Sequence, residues 1–412
     1  MRSTRVCTAA SLAVACVIAL LVAQPAQSQT YKVLYSFMSR SDGANPTAGL
    51  IQDAKGNLYG TTSTGDLYGL GTVFELSQAG KETVLHRFMR SDNGAVPVGG
   101  VIMDAEGNLY GTTGFGDYDR DGTVFKLSQT GKATVLHRFF GGNDGSNPYG
   151  GLVQDEKGNI YGTTYDGGSY DYGTVFELSR EEKGKWRETV LHTFKGGTDG
   201  AEPSAGLIRD AEGNFYGTTV SGGGGQCWHY ATGCGTVFKL DTSGKETVLY
   251  SFTGGNDGNF PMAALLRDAE GNLYGTTSSG GETCDLDGGC GTVFKVDTTG
   301  TKTVLYRFTG GSDGAGPVSS LVRDAKGNLY GTAEYGGIPC HGIGGCGVVF
   351  KLSKTGTLTV LHGFTGGANG SYPSAGVTRD AAGILYGTAS YGGDVSCSGN
   401  GLGCGVVFKL TP

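Results

Sequence analysis

The chain has 412 residues, 78 of them glycine and 10 of them cysteine, with a formal charge of −7. That acidic balance excludes a nucleic-acid binder, whose phosphate contacts need clustered Lys and Arg. Glycine at this level without a three-residue period can signal disorder, but here strand-like segments separate the glycines at regular intervals.

Residues 1–28 read as a secretory signal peptide. Arg2 and Arg5 precede an apolar run from Cys7 to Ala23, and Ala26-Gln27-Ser28 sets small residues at the −3 and −1 positions of a cleavage site before Gln29. An uncleaved anchor and a lipoprotein attached through Cys16 are the alternatives. Ser11, the interrupting alanines and Gln24-Pro25 argue against the first, and the apolar sequence beyond Cys16 argues against the second. Loss of this segment removes two arginines and takes the formal charge from −7 to −9. No later stretch is long and apolar enough to span a bilayer.

From residue 31 onward one motif repeats. "LYGT" or a near variant centres on Tyr59, Tyr110, Tyr161, Tyr216, Tyr274, Tyr330 and Tyr386, at spacings of 51, 51, 55, 58, 56 and 56. Such a period signals a propeller or a solenoid. A proline (Pro46, Pro97, Pro148, Pro203, Pro261, Pro317, Pro373), an aspartate (Asp53 through Asp380) and a "GTVF"-like phrase ending at Phe74 through Phe408 keep step with it. Each unit reads as four strands. In the fifth they are Ala264–Arg267, Asn272–Thr277, Gly291–Val296 and Lys302–Phe308, with hairpin turns at "DAEGN" and "DTTG". Val, Leu, Tyr, Phe and Thr dominate the strands, and no segment has helical periodicity.

The order of the units distinguishes a ring from a line. Tyr31–Phe37 is a fourth strand lacking its first three, and Gly405–Leu410 is a third strand lacking its fourth. Joined, they complete a seventh unit. The fold expected is all-β, a seven-bladed β-propeller of four-stranded antiparallel blades closed by the N-terminal strand. An open solenoid would carry atypical capping repeats instead. The domain plan is a signal peptide at 1–28 and one propeller at 29–412. Its units lie at about 38–88, 89–139, 140–194, 195–252, 253–308, 309–364, and 365–410 plus 31–37.

The unit "DGxxPxAGLIxDxxGNLYGTTxxGG…GTVFKL…TVLYSF" resembles the tandem GloVer (Gloeobacter/Verrucomicrobia-type) repeats of bacterial choice-of-anchor proteins, over essentially all of residues 31–410. The resemblance implies export and a repeat propeller, and it brings no catalytic residues. Two departures stand out: the chain stops at Leu410-Thr411-Pro412 without an anchor segment, and Ile384 replaces the asparagine of the other units. A released or periplasmic monomer is the expectation.

Eight cysteines follow the leader, all in the last four units, and pair by position as Cys227–Cys234, Cys284–Cys290, Cys340–Cys346 and Cys397–Cys404. An even count in an exported chain reads as disulfides. A zinc site using His229 or His341 is the alternative, but each loop supplies at most three candidate ligands where zinc takes four.

Antiparallel order puts the turns between strands 1 and 2 and between strands 3 and 4 on one rim. The 2–3 loops and the blade-to-blade links fall on the other, which makes the second rim the surface for binding. The repeated Asp-Gly of the links reads as a turn rather than a calcium ligand, since one carboxylate per blade does not form a cage. His86, His137, His192 and His362 alternate with Tyr35, Tyr250 and Tyr306 in one strand position, which reads as packing. The candidate ligand-binding residues are Asp66, Tyr68, Asp117, Tyr118, Tyr165, Asp166, Tyr170, Tyr172, Trp228, His229 and Tyr335, where aromatic faces beside carboxylates suit sugar rings. No catalytic motif, metal site or cofactor motif is present in the sequence. The reading is a secreted or periplasmic module that binds a glycan or an extracellular protein, with no nucleic-acid or membrane partner. The alternative is a polysaccharide lyase or hydrolase with Glu334 as its best acid, because the other units carry Ser, Gly, Tyr or Val there.

Overall fold

The computed structural model describes residues 29–412 except 66–68, 90–93, 117–120, 226, 228–232, 285–287, 341–343 and 398–400. The leader and its cleavage site lie outside the described residues. The fold is all-β: seven four-stranded antiparallel sheets, six of them in chain order and the seventh made of Thr378–Arg379, Leu385–Ala389 and Val406–Thr411 with Thr30–Ser36 as its last strand. In blade 1 the strands are Ile51–Gln52, Leu58–Thr62, Thr72–Leu76 and Glu82–Arg87. Among the described residues no helix is long and apolar enough to cross a membrane.

The repeated residues have repeated jobs. At each 1–2 turn a carboxylate ties the hairpin: Asp268 accepts from the Asn272 backbone N–H (2.8 Å), its side-chain amide (2.9 Å) and the Tyr274 hydroxyl (3.0 Å). Burial disfavours the charged form of Asp268, yet these donors outweigh it and hold the carboxyl below its usual range. In blade 7, Ile384 keeps the backbone bond to Asp380 but has no amide to give. The glycine of "YGT" is steric: a Cβ on Gly275 would lie 2.6 Å from Cζ of Phe294, the residue opposite it in the next strand.

Contacts between blades use the other landmarks. Phe252 at the end of one blade meets Phe294 of the next edge-on at 5.1 Å, and six equivalent pairs complete the circle, from Phe37–Phe74 to Phe364–Phe408. A threonine of each second strand donates to the carbonyl at the entrance of the next blade, from Thr61 to Gly99 O through Thr388 to Ala48 O. One bound differs from expectation: the first strand of blade 5 is Leu266–Arg267, not Ala264–Arg267, and the chain just before it is tied to blade 4 through the Ala263 carbonyl, which accepts from Thr218 (3.2 Å). The glycine before each third strand lies under the proline of the next blade; a Cβ on Gly291, at φ +91°, would stand 2.5 Å from Pro317.

The ring closes as the sequence expectation has it. Thr30–Ser36 pairs antiparallel with Val406–Thr411, with Tyr31 opposite Leu410 and Ser36 opposite Val406. Tyr31 stacks on His362 of blade 6 at 3.6 Å and donates to Asn369 O at 2.6 Å, so the opening strand also grips the preceding blade. All four disulfides form as paired by position, with Cα separations of 5.3, 5.9, 5.6 and 6.0 Å. Short bridges such as Ala44–Thr64 and Ser371–Tyr391 join the links to the starts of the 2–3 loops, which places both on one rim.

Candidate functional site

The segments entering the seven first strands surround an axial cavity of about 330 Å³ lined mostly by Gly, Ala and Ser, with Tyr149, Met262 and Val318 among them. At its mouth, on the rim of links and 2–3 loops, each blade holds the residue before its proline in the left-handed region. These are Asn45, Val96, Asn147, Glu202, Phe260, Gly316 and Tyr372, at φ between 55° and 61°. A residue before proline normally takes extended backbone, and the left-handed region costs roughly 1–2 kcal/mol for a side chain such as Val or Phe. Two hydrogen bonds hold each one there. Glu202 N–H donates to Tyr172 O of the preceding blade (2.9 Å), and Val220 N–H donates to Glu202 O (3.1 Å). Strain repeated at six of the seven positions, Gly316 being free of it, marks where side chains are forced into a set orientation.

Side chains at this level vary while the scaffold does not, and they form two tyrosine–carboxylate clusters. In the first, Tyr149 lies 5.6 Å from Tyr165, whose hydroxyl donates to Glu202 at 3.2 Å; Ser221 donates to the same oxygen at 3.0 Å. Asp166 belongs here too. Burial and the nearby Asp171 and Glu202 carboxylates push its pKa up to about 6. In the second, Tyr335 lies 5.8 Å from Tyr372, which lies 5.7 Å from Tyr391. Glu334 adjoins them; burial raises its pKa, with a hydrogen bond from Tyr335 acting against that rise. Burial and the adjacent Glu334 in turn push the Tyr335 phenol up to about 12.

A model of the Gloeobacter/Verrucomicrobia repeat matches residues 20–176, 130–343 and 228–412. The chain belongs to the Gloeobacter/Verrucomicrobia repeat family. No curated protein matches its sequence. Among solved structures it is similar to virginiamycin B lyase from Staphylococcus aureus, with a TM-score of 0.58 and 13% identity over 93% of this chain and 99% of that one. It is also similar to a luciferin-regenerating enzyme, with a TM-score of 0.45 and 14% identity over 78% of this chain and 93% of that one. At such identities the likeness to the lyase is one of fold.

Within the Gloeobacter/Verrucomicrobia repeats, the sequence-derived candidates divide by location. Tyr165, Asp166, Tyr335 and Glu334 fall in the two clusters. Tyr170 stands at a loop tip, 54% exposed, while Tyr172 packs against the core of blades 3 and 4 with its ring over Gly196. Asp66, Tyr68, Asp117, Tyr118, Trp228 and His229 lie outside the described residues. Sequence reading missed Tyr149, Glu202, Tyr372 and Tyr391. Their signal was available, since they occupy columns of the repeat whose residue type changes from unit to unit.

The link aspartates have defined partners. Asp257 accepts from Thr253 N–H (2.9 Å) and the Tyr250 hydroxyl (2.8 Å), and Asp199 accepts from Lys195 N–H (2.8 Å) and lies 3.3 Å from His192 Nε2. This explains why His and Tyr alternate in the fourth strand: either presents a polar atom to the link. Among the described residues no group of three or more His, Cys, Asp or Glu converges as a metal site.

Proposed function

We propose that the chain is an exported binding module that takes a glycan at the mouth of its axial channel. The observation that carries this reading is the pair of tyrosine–carboxylate clusters, set in the variable columns of an otherwise strict repeat and held by strained, doubly hydrogen-bonded backbone. Phenol rings offer flat faces to sugar C–H groups, and the Glu202 side chain, which already accepts from Tyr165 and Ser221, offers oxygens to sugar hydroxyls. The disulfides support an oxidising compartment, where such ligands are found.

The test is a glycan array probed with the chain from residue 29 onward. Binding is expected, with Tyr165→Ala and Tyr372→Ala each weakening it by about tenfold, as loss of one stacked ring implies. Absence of any glycan hit, together with capture of a peptide ligand, would move the module to a protein partner.

One observation favours a second reading, a polysaccharide lyase or hydrolase. Glu334 is a half-buried carboxyl whose pKa is raised by desolvation, the condition for a general acid. Product analysis of each array hit separates the readings: Glu334→Gln abolishes turnover if the chain is an enzyme, and only modulates affinity if it is a binder.

A further inference from the structure

The opposite rim, which carries the hairpin turns, is not uniform. Each groove between neighbouring blades there is flanked by the tyrosine of one blade and by the residue just before the turn aspartate of the next. In blades 4 to 7 that residue is arginine. Arg267, Arg323 and Arg379 lie over Tyr216, Tyr274 and Tyr330 at 5.7, 5.7 and 5.9 Å, and Arg209 pairs with Glu156 across its groove at 3.2 Å. In blades 1 to 3 it is Gln52, Met103 and Gln154. Met103 and Gln154 line cavities of about 350 and 570 Å³, and a cavity of about 520 Å³ lined by Tyr386 and Leu58 lies in the groove between blades 7 and 1, so that the three are adjacent along the ring. Clefts of this size hold small ligands.

The largest, between blades 2 and 3, has an added wall. The hairpin joining strands 3 and 4 of blade 3 is four residues longer than that of blade 1. It extends those strands to Thr174–Arg180 and Trp186–Thr193, and it sets Arg180 directly opposite Trp186, with the guanidinium 5.8 Å from the indole centroid. The groove's carboxylates are largely committed: Asp104 and Asp155 tie their own turns, and Glu156 is held by Arg209. Among the described residues Arg180 has no carboxylate partner; its contact is with the indole.

We propose that this groove binds an anionic saccharide, its ring against the Trp186 face and its carboxylate on the Arg180 guanidinium. A planar guanidinium donates two parallel N–H bonds to a carboxylate while keeping its cation–π contact with an aromatic ring. This site is separate from the channel mouth on the other rim, and it does not depend on the reading given for that mouth.

The test is calorimetric titration of the full chain with oligogalacturonate and, in parallel, with a neutral cello-oligosaccharide of equal length. Saturable binding of the uronate is expected, with the neutral sugar at least tenfold weaker and Arg180→Ala lowering uronate affinity by about tenfold. Since Trp186 also packs against the core, the second variant is Gln154→Arg, which reproduces the residue of blades 4 to 7 and should close the groove without loss of thermal stability. No uronate binding, equal binding of the neutral sugar, or uronate affinity unaffected by both Arg180→Ala and Gln154→Arg would overturn the proposal.

Discussion

Single residues in this chain are constrained in pairs. In blades 1 to 5 the last threonine of strand 2 faces the first threonine of strand 3, both buried; Thr219 and Thr236 share a hydrogen bond of 2.8 Å. Blades 6 and 7 replace both partners together, with Ala333 opposite Val348 and Ala389 opposite Val406. A buried hydroxyl that loses its partner costs about 1–3 kcal/mol, whereas apolar replacement of both is close to neutral. Thr219→Ala should therefore lower stability by that amount, and Thr219→Ala with Thr236→Val should recover most of it, as read by urea unfolding. A double variant no more stable than the single one would contradict the pairing. The threonines were legible as strand residues, but their pairing was not, because the loop between strands 2 and 3 sets the partners 10 residues apart in blade 1 and 17 apart in blade 4. Nor was the left-handed backbone at Val96, Phe260 and Tyr372 legible: a residue type that disfavours it stands before a proline that disfavours it too.

At the scale of the strand, one position of the outer strand, opposite the last apolar residue of strand 3, carries a charged side chain in blades 1, 3, 4 and 5. Lys302 there pairs with Asp257 at 2.7 Å. Glu82, Glu188 and Glu246 hold the same position in blades 1, 3 and 4, near Asp42, Asp144 and Asp199, and one carboxylate oxygen of each is buried with no hydrogen-bond partner. Burial, then the neighbouring aspartate, raises each pKa from 4.5 to about 7; Arg87 moderates this at Glu82, and His192 does so at Glu246. A carboxyl whose folded pKa is raised holds its proton more tightly in the folded state. Its contribution is complete below pH 4.5 and is lost as pH rises through 7. For half-exposed groups the loss is about 1 kcal/mol each after solvent screening. Unfolding free energy should thus fall between pH 5 and pH 8 more steeply in the natural chain than in Glu82→Gln/Glu188→Gln/Glu246→Gln. Parallel profiles would sink the idea. Strand order, turn positions and cysteine pairing were readable in advance, since each leaves a repeated letter. These acidic contacts were not, because each joins the link that opens a unit to the outer strand that ends it, and no letter pattern shows that those two columns meet.

For the molecule as a whole, seven near-identical blades make a ring whose differences carry the information. The units without cysteine have uncapped grooves on the hairpin rim, and the units with disulfides have grooves crossed by arginine. On the loop rim the variable columns gather into two tyrosine–carboxylate clusters, at blades 3–4 and 6–7. The scaffold was legible because phenylalanine, proline, glycine and threonine each recur where one blade meets the next. The ligand surface was only half legible, because it lies in the columns where recurrence fails. Hydrogen–deuterium exchange of the full chain, with and without a saturating glycan taken from the array, tests this division most directly. The account predicts slowed exchange in segments 163–172, 201–204 and 333–337, with the hairpin turns of blades 4 to 7 unchanged; protection confined to those turns, or none at the three segments, would contradict it.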